Sequence, residues 1–253
     1  MSPPAPRVAV VTGGATGIGL AIARRLAADG ARVAITGRRA DRLESAAAEI
    51  GARPYRLDVR EESSCRDTIA RIAADLGRIG VVVANAGIGG ANWPGPNDRF
   101  REIVATNLDG TYFTLRAAIP HLVDRSERAD LVVVSSVLAK IGIPGYTGYC
   151  AAKTGLLGLT RALALELATR NVFVNAVCPG WVDTDMAESG LRGIAAAMGV
   201  SVEEARKEAM SRVPLGRMSR PEDVAALVAW LVSPECVGMT GQSIDLNNGS
   251  FLE

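Results

Sequence analysis

Seven short apolar runs, most of them rich in valine or isoleucine, alternate along the chain with longer stretches of helical pattern. The runs are 7–14, 31–37, 53–59, 80–87, 130–136, 171–180 and 242–248. Because most are continuously apolar rather than alternating, they are typical of parallel strands covered by helices on both faces. The helical stretches lie at about 17–29, 39–50, 61–76, 98–124, 148–169 and 221–233. This order predicts an α/β fold with a doubly wound, seven-stranded parallel sheet of the Rossmann type and helices on both faces.

No linker, internal repeat or low-complexity segment interrupts this alternation. We therefore predict that residues 1–253 form a single domain, which at this length can bury a sizeable core. In such open sheets ligands bind at the carboxyl ends of the strands. The loops at that edge have the sequences TGGATGIG, TGRR, LDV, NAG, SS and CPG.

Composition excludes several classes of function. Lysine plus arginine (28) nearly cancels aspartate plus glutamate (27), so the net charge of +1 gives no reason to expect a nucleic-acid or membrane-surface partner. His121 is the only histidine, which excludes histidine-based metal sites and Ser-His-Asp triads, and we expect no metal. Acid–base chemistry must then rest on tyrosine, lysine, cysteine or carboxylates.

The cysteines and the start of the chain bear on its location. Cys65, Cys150, Cys178 and Cys236 are scattered with no CxxC pair, which is typical of free thiols in a reducing compartment. The first ten residues lack the pattern of a secretory signal, and no apolar stretch is long enough to span a membrane. These features predict a cytoplasmic protein.

The loop TGGATGIG, at 12–19, follows the first strand and opens a helix. Gly13, Gly17 and Gly19 allow the backbone to turn tightly and approach a pyrophosphate, whose charge then lies at the helix N-terminus. A glycine triad alone is a weak signal, but here a strand precedes it and an amphipathic helix follows. We predict a dinucleotide site.

The second strand ends in Thr36, Gly37, Arg38 and Arg39. An NAD enzyme places a carboxylate near here to accept from the ribose 2′-hydroxyl, and Gly37 occupies that position. A guanidinium can instead bind the 2′-phosphate of NADP through two charge-assisted hydrogen bonds. We therefore predict NADP(H), with Arg38 as the main contact and Arg39 as a second one. The alternative is that these arginines form a solvated helix start.

The spacing GxxxGxG, with Asn85, Ala86 and Gly87 after the fourth strand, resembles the compact single-domain branch of the short-chain dehydrogenase/reductase family. The resemblance extends over nearly the whole chain, and five motifs occur in the expected order. It implies an oxidoreductase with a catalytic tetrad at Asn107, Ser136, Tyr149 and Lys153. The cofactor contacts that it implies are Gly13, Thr16, Gly17, Ile18, Gly19, Asp58, Val59, Asn85, Ala86, Gly87, Tyr149, Lys153, Pro179, Gly180, Val182 and Thr184.

Tyr149 and Lys153 have a physical case that is independent of the family. Residues four apart share one face of a helix, and an ammonium beside a phenol favours the phenolate. We therefore expect Lys153 to lower the pKa of Tyr149 and make it usable as an acid or base near neutral pH. Tyr146 has Cys150 four residues later, and Lys140 has no tyrosine four residues before it. Ser135, one residue from Ser136, should point to the other face of its strand.

The resemblance also implies the roles of these residues in the reduction of a carbonyl by NADPH. Ser136 would bind the carbonyl oxygen, and Tyr149 would donate the proton. Lys153 would lower the tyrosine pKa and bind the nicotinamide ribose. Asn107 would hold a water in a proton relay from Lys153 to solvent.

The substrate side carries fewer signals. The segment from Asp185 to about Arg212 follows the loop Pro179–Thr184, and we predict that it is helical and forms a substrate lid. Met186, Met198 and Met210 there suit either a lid or a core. Candidate substrate contacts, which could equally be packing residues, are Trp93, Leu138, Ile141, Tyr146 and Trp181.

The segments CPGWVDTDMA and VPLGRM resemble those of 3-oxoacyl carrier-protein reductases and polyketide ketoreductases. They imply a 3-oxoacyl or polyketide-type ketone, free or bound to a carrier protein. A basic patch that could bind an acidic carrier protein would consist of Arg125, Arg128 and Arg170. The alternative is that these arginines lie at solvated helix ends. The chain departs from the family at its end, where IDLNNGS replaces the usual DGG.

Several alternatives stay open at this stage. A dehydrogenase of a small free alcohol, polyol or hydroxy acid would share the same framework, since fold does not determine substrate. An NADP(H)-sensing regulator would be expected to have a broken tetrad, and the extended epimerase branch uses a different glycine loop. The helix at about 148–169 is apolar nearly all round, which, with the family's behaviour, predicts a homotetramer.

Overall fold

The computed structural model of the chain describes residues 6–252. Its strands are β1 (Val8–Thr12), β2 (Arg32–Gly37), β3 (Arg53–Arg56), β4 (Ile79–Ala84), β5 (Ala129–Val134), β6 (Val172–Pro179) and β7 (Ser243–Leu246). They form one sheet in the order β3-β2-β1-β4-β5-β6-β7, and every neighbouring pair is parallel. The predicted doubly wound parallel sheet is confirmed.

The helices are α1 (Gly17–Ala28), α2 (Ala40–Ile50), α3 (Glu62–Leu76), α4 (Phe100–Val104), α5 (Gly110–Ala118), α6 (Thr147–Leu167), α7 (Asp185–Met198), α8 (Val202–Ser211) and α9 (Pro221–Leu231). One face of the sheet is covered by α1, α2 and α9, and the other by α3, α5 and α6. Every residue of β1, β4 and β5 is buried. This two-sided burial explains why their sequences are apolar apart from Gly80, Thr12 and Asp130.

The long helix predicted at about 98–124 is interrupted in the structure. A π-helical turn, Ala105–Asp109, separates α4 from α5 and carries Asn107. Hydroxyl groups reinforce it, since Thr106 Oγ1 donates to the carbonyl of Glu102 at 2.9 Å and Thr111 Oγ1 to that of Asn107 at 2.8 Å. Apolar periodicity hides such a turn because it inserts a single residue, and turns of this kind occur frequently at functional sites.

The segment predicted to be helical at about 185–212 consists of two helices, α7 and α8. Gly199, with φ of 68°, ends α7 in the left-handed conformation that favours glycine. Ser201 and Glu204 then form a reciprocal capping box that starts α8.

A charged cluster lies at the amino-terminal edge of the sheet, opposite the edge where ligands bind. Asp130, only 2% exposed, forms ion pairs with Arg7 at 2.6 Å and Arg128 at 2.7 Å. Arg128 also donates to the carbonyls of Leu231, Ser233 and Cys236 and lies over the ring of Phe173. Because its guanidinium makes all of these contacts inside the protein, Arg128 cannot belong to a surface patch that binds an acidic carrier protein, the role considered for Arg125, Arg128 and Arg170.

The carboxyl end of β7 is fastened to the segment that follows α8. Asn248, with φ of 54°, and Gly249, with φ of 86°, form a tight turn after the strand. Asn248 Nδ2 donates to Arg217 O at 2.9 Å and to Ser219 Oγ at 3.1 Å. The unusual sequence IDLNNGS thus fastens the segment between α8 and α9 to the end of the sheet.

Candidate active site

The loop between β1 and α1 approaches its own backbone closely. Gly13 and Gly17 have φ of 65° and 53°, where side chains other than that of glycine are strained. At Gly19 an added Cβ would lie 2.3 Å from the carbonyl oxygen of Gly13, so only glycine fits there. The loop can therefore present backbone N–H groups to an anion at the start of α1.

Thr12 holds the ends of β1 and β4 together beneath this loop. Its Oγ1 accepts from the backbone N–H groups of Asn85 and Ala86, both at 3.0 Å. The Asn85 side chain returns a hydrogen bond through Nδ2 to the Thr12 carbonyl at 2.9 Å. The predicted Asn85–Gly87 segment is therefore fixed beside the glycine loop.

A cleft of about 460 Å³ opens at the carboxyl ends of β1, β2 and β4. It is lined by the predicted residues Gly13, Thr16, Arg38, Arg39, Asp58, Val59, Ala86 and Gly87, and by Ala15, Thr36, Gly37, Arg42, Leu57, Ile88 and Thr106. Arg42, which sequence reasoning missed, lies in the first turn of α2, four residues after Arg38, and adds a third guanidinium to the wall. The four-residue spacing between Arg38 and Arg42 is the sequence feature that could have identified Arg42 as a residue of the cleft.

The other predicted cofactor contacts lie around this cleft rather than in its lining. Gly17, Ile18, Gly19 and Asn85 belong to the loops just described. Thr184 caps α7, with its Oγ1 accepting from Ala187 N at 3.3 Å. Its Cγ2 lies 3.2 Å from the position of a Cβ added at Gly17, so the loop carrying Pro179, Gly180 and Val182 meets the glycine loop.

The carboxylate of Asp58 is hydrogen-bonded to the nearby side chain of Arg60. Arg60 donates to both of its carboxylate oxygens from the guanidinium and to Oδ1 from the backbone. These hydrogen bonds lower the pKa of Asp58 from its usual value, and the charge of Arg38 adds to the effect. The wall of the cleft thus combines exposed arginines with one paired carboxylate.

Ser136, Tyr149 and Lys153 meet beyond the end of β5. Ser136 is 8% exposed, and its Oγ accepts from Leu138 N at 3.1 Å. Burial raises the pKa of Tyr149, and a hydrogen bond with Ser136 opposes part of that rise. Ser135 points elsewhere, as predicted, and donates to the carbonyl of Lys153 at 3.0 Å.

Lys153 is 5% exposed and its ammonium is held by the backbone. Nζ donates to the carbonyl of Val134 at 2.9 Å and lies 5.6 Å from the centroid of the Tyr149 ring. Burial lowers the pKa of Lys153 to about 8. The expected net lowering of the Tyr149 pKa is wrong, because burial of the phenol dominates and raises that pKa. The Lys153 ammonium is hydrogen-bonded to the carbonyl of Val134.

Asn107 is fully buried in the π-helical turn. Its Oδ1 accepts from Ile88 N at 2.8 Å and its Nδ2 donates to Ile88 O at 2.9 Å. A Cβ added at Gly87 would lie 2.8 Å from Oδ1, which explains the glycine there. The amide is therefore paired with Ile88 at both ends, and the main-chain carbonyl of Asn107 accepts from Thr111 Oγ1. The water expected at Asn107 stays a prediction.

The candidate substrate contacts are distributed around the mouth of this region. Trp93 is 64% exposed and lies against Gly145, where an added Cβ would be 2.5 Å from its ring. Leu138, Ile141, Tyr146 and Trp181 are all partly buried. Met186 and Met198 are 46% and 53% exposed, so they are not core residues. Met186 approaches Gly89, which brings α7 close to the loop after β4.

Within residues 6–252 no group of three or more histidine, cysteine, aspartate or glutamate residues could hold a metal ion. The same part of the chain contains no helix that is both long and apolar enough to cross a membrane. Cys65, Cys150, Cys178 and Cys236 are all free thiols.

Comparisons with known proteins agree on one family. A family model described as enoyl-(acyl carrier protein) reductase matches residues 13–250. The chain is 34% identical over 260 residues to a 3-oxoacyl-acyl-carrier-protein reductase of Thermotoga maritima, covering 97% of this chain and 98% of that protein. It is 35% identical over 249 residues to an acetoacetyl-CoA reductase of Shinella zoogloeoides, covering 97% and 99%.

A solved structure of a variant of actinorhodin polyketide ketoreductase with NADPH superposes with a TM-score of 0.93. It shares 34% sequence identity, and the match covers 99% of each chain. The match therefore spans the residues of the glycine loop, those of the π-helical turn and the segment from Ser136 to Lys153.

Proposed function

This chain belongs to the short-chain dehydrogenase/reductase family of oxidoreductases, and we propose that it is an NADPH-dependent ketone reductase with Tyr149 as its proton donor. The observation that carries the proposal is the grouping of buried Ser136 and Lys153 with Tyr149, whose ring centre lies 5.6 Å from the Lys153 ammonium. These groups lie at the same edge of the sheet as the dinucleotide cleft. A nucleotide-sensing protein would have no need of this combination.

The residues present fit a dinucleotide. The positive φ of Gly13 and Gly17 and the close approach of Gly19 to the Gly13 carbonyl form a tight turn at the start of α1, where backbone N–H groups can bind a pyrophosphate. Residues of the cleft and of the Pro179–Thr184 loop would hold the cofactor. When bound, NADPH supplies the hydride for the carbonyl carbon.

The preference for NADP(H) rests on the end of β2. Arg38 and Arg39 are exposed in the cleft wall, with Arg42 nearby, and Gly37 leaves no carboxylate to repel a 2′-phosphate. A guanidinium can bind this phosphate through two charge-assisted hydrogen bonds. Arg38 is the principal contact in this proposal, and Arg39 and Arg42 contribute charge.

The chemistry follows from the protonation states of the side chains. Ser136 Oγ donates to the carbonyl oxygen and stabilises the negative charge that develops on it. Tyr149, whose pKa burial raises, stays neutral at physiological pH and transfers its proton to that oxygen. Lys153, largely protonated at neutral pH, stabilises the resulting phenolate. A raised phenol pKa suits the reduction direction, because the acid form is the one required.

We expect the substrate to be a 3-oxoacyl or polyketide-type ketone, free or on a carrier protein. Support comes from the relatives, which are named for reduction of 3-oxoacyl-carrier-protein and acetoacetyl-CoA substrates and of a polyketide. Exposed Trp93 and Met186 at the mouth would suit an apolar acyl portion. In this proposal α7 and α8 form the lid over it.

We further propose a homotetramer in the cytoplasm. Leu165 on α6 is 83% exposed, and Phe100 and Tyr112 on α4 and α5 are about two-fifths exposed. An apolar face of this kind is typical of a surface buried between subunits. Sedimentation at micromolar concentration tests it, and monomeric behaviour would contradict it.

The function is tested by a turnover screen with NADPH and NADH. The substrates should be 3-oxoacyl thioesters, trans-2-enoyl thioesters, cyclic ketones and small ketoses. We expect the highest kcat/KM with NADPH and a 3-oxo thioester or cyclic ketone. Turnover of enoyl thioesters alone would contradict ketone reduction, and activity confined to small free alcohols or ketoses would contradict the substrate class.

A further inference from the structure

Asn92 lies buried in an otherwise exposed loop. Between β4 and α4, residues 91 and 93–98 are exposed, whereas Asn92 is 4% exposed. Its backbone N–H donates to the Gly145 carbonyl at 2.7 Å. A buried amide side chain with several hydrogen bonds usually fixes a local arrangement.

The side chain of Asn92 caps the helix that carries Tyr149. The first N–H groups of a helix have no partner within it, and Tyr146, at the N-cap of α6, supplies no side-chain cap. Asn92 Oδ1 accepts instead from Gly148 N at 2.8 Å. Its Nδ2 donates to Thr147 Oγ1 at 3.0 Å. The residue before Tyr149 is thus held from a loop 56 positions away in the chain.

Gly148 allows this close approach. A Cβ added there would lie 3.2 Å from Asn92 Oδ1 and 3.2 Å from the Cα of Phe100. Any larger residue would push the loop, α4 and the first turn of α6 apart. The close packing of the loop, α4 and the first turn of α6 therefore depends on the absence of a side chain at Gly148.

Asn92 also connects α6 to the helical segment that leads to Asn107. Its Nδ2 donates to Asp98 Oδ1 at 3.1 Å, and the same oxygen accepts from Phe100 N, at the start of α4, at 2.9 Å. The π-helical turn with Asn107 follows α4 directly. One amide group therefore joins the two segments that carry three members of the tetrad.

We infer that Asn92 is a positioning residue, which sets the first turn of α6 so that the Tyr149 hydroxyl faces Ser136 and the substrate carbonyl. The inference rests on the proposed function for its catalytic consequence. It predicts an effect on turnover rather than on dinucleotide binding, because Asn92 is not part of the cleft lining.

The test is a pair of variants that exchange the two interacting side chains. Asn92→Asp keeps the acceptor for Gly148 but sets a second carboxylate against Asp98. Adding Asp98→Asn restores an amide–carboxylate pair with the roles reversed, and it keeps an acceptor for Phe100 N. Asn97→Asp is the matched control, since it makes the same change in the same loop at an exposed residue.

We expect Asn92→Asp to lower kcat roughly 10- to 100-fold, as small misplacements of catalytic groups do. The Kd for NADPH, measured by fluorescence, should stay within about twofold, and the double variant should recover most of the lost kcat. Asn97→Asp should behave like the wild type. A kcat of Asn92→Asp within about twofold of the wild type, or a folded double variant without recovery, would overturn the inference.

Hydrogen–deuterium exchange separates this inference from the proposed function. Exchange in the peptide covering residues 146–152 should be faster in Asn92→Asp and return to the wild-type rate in the double variant. This measurement needs no substrate, so it stands even if the wild type reduces no ketone. Unchanged exchange in Asn92→Asp would show that repulsion between residues 92 and 98 does not move the first turn of α6, and it would overturn the positioning role.

Discussion

The ammonium of Lys153 lies 5.6 Å from the centre of the Tyr149 ring and donates to the carbonyl of Val134 at 2.9 Å. No residue of the described chain forms an ion pair with it. The charged form therefore bears the cost of burial, which lowers the Lys153 pKa to about 8. The same burial raises the pKa of Tyr149 and keeps the phenol in its acid form.

This arrangement predicts that the buried charge of Lys153 lowers the free energy of unfolding of the protein. A folded-state pKa of about 8, against 10.5 in the unfolded chain, corresponds to a cost of about 3 kcal/mol while the lysine is charged. Lys153→Met should stabilise the protein at pH 7 by about 2 kcal/mol, because loss of the Val134 hydrogen bond offsets part of the gain. The gain is full below pH 8 and declines as the pH rises towards 10.5.

Urea unfolding of both proteins from pH 7 to pH 10.5 measures this difference. Exposed Lys207, replaced by methionine, is the control and should show no pH-dependent difference from the wild type. A Lys153→Met protein that is less stable than the wild type at pH 7 would contradict the cost assigned to the buried charge.

Cofactor preference should change with substitutions at the end of β2. Arg38→Ala should weaken NADPH binding roughly 10- to 100-fold, the equivalent of one or two charge-assisted hydrogen bonds, and leave NADH binding nearly unchanged. Gly37→Asp should favour NADH, and the backbone tolerates it, since an added Cβ meets only Leu43 at 3.5 Å. Titration of both cofactors measures the effect.

Arg24→Ala is the control for this pair, because Arg24 is exposed on α1 and pairs with Glu49 away from the cleft. It should leave both affinities unchanged. Equal loss of NADPH and NADH affinity in Arg38→Ala would show that Arg38 does not recognise the 2′-phosphate.

Two threonines in register across β1 and β2 should respond oppositely to valine. Thr36 Oγ1 is the one buried side-chain oxygen or nitrogen of residues 6–252 without a hydrogen-bond partner, whereas Thr12 Oγ1 accepts from Asn85 and Ala86. Thr36→Val should stabilise the free protein by about 1 kcal/mol, and Thr12→Val should destabilise it by about 1–3 kcal/mol. Thermal unfolding checks both, and destabilisation by Thr36→Val would contradict the prediction.

The Asp130 cluster should govern stability without affecting catalysis. Asp130→Asn leaves the guanidinium groups of Arg7 and Arg128 without their buried carboxylate, which should cost about 3 kcal/mol. Asp29→Asn, which breaks an exposed pair with Arg25, should cost less than about 1 kcal/mol. Because Asp130 lies at the opposite edge of the sheet, kcat per folded molecule should be unchanged; a loss of kcat would contradict this separation.

The fold was predictable because each central strand is buried on both faces and each covering helix on one. The strands therefore have continuous apolar runs and the helices repeat their apolar residues with a regular period, and both patterns can be recognised without tertiary information. The break in the helix predicted at 98–124 could not be predicted from the sequence. The π-helical turn there depends on the contacts of Asn107 with Ile88, which is 19 residues away.

The site was predictable where its residues are close in sequence. The glycine loop and the Tyr149–Lys153 spacing are local, and the family resemblance supplied Ser136 and Asn107. Asn92 gave no such signal, since an asparagine in a loop is ordinary and its partner Gly148 is 56 positions away. The raised pKa of Tyr149 also escaped prediction, because burial is set by the whole fold.

The most direct measurement is kcat for the best ketone substrate in Tyr149→Phe, with Tyr146→Phe as the control three residues earlier. Tyr149→Phe should lower kcat at least about 100-fold, the usual contribution of a general acid, with NADPH affinity within about twofold of the wild type. Tyr146→Phe should lose less than about fivefold, since a proton donor contributes far more than a neighbouring phenol. Turnover by Tyr149→Phe close to that of the wild type would contradict the assignment of Tyr149 as proton donor.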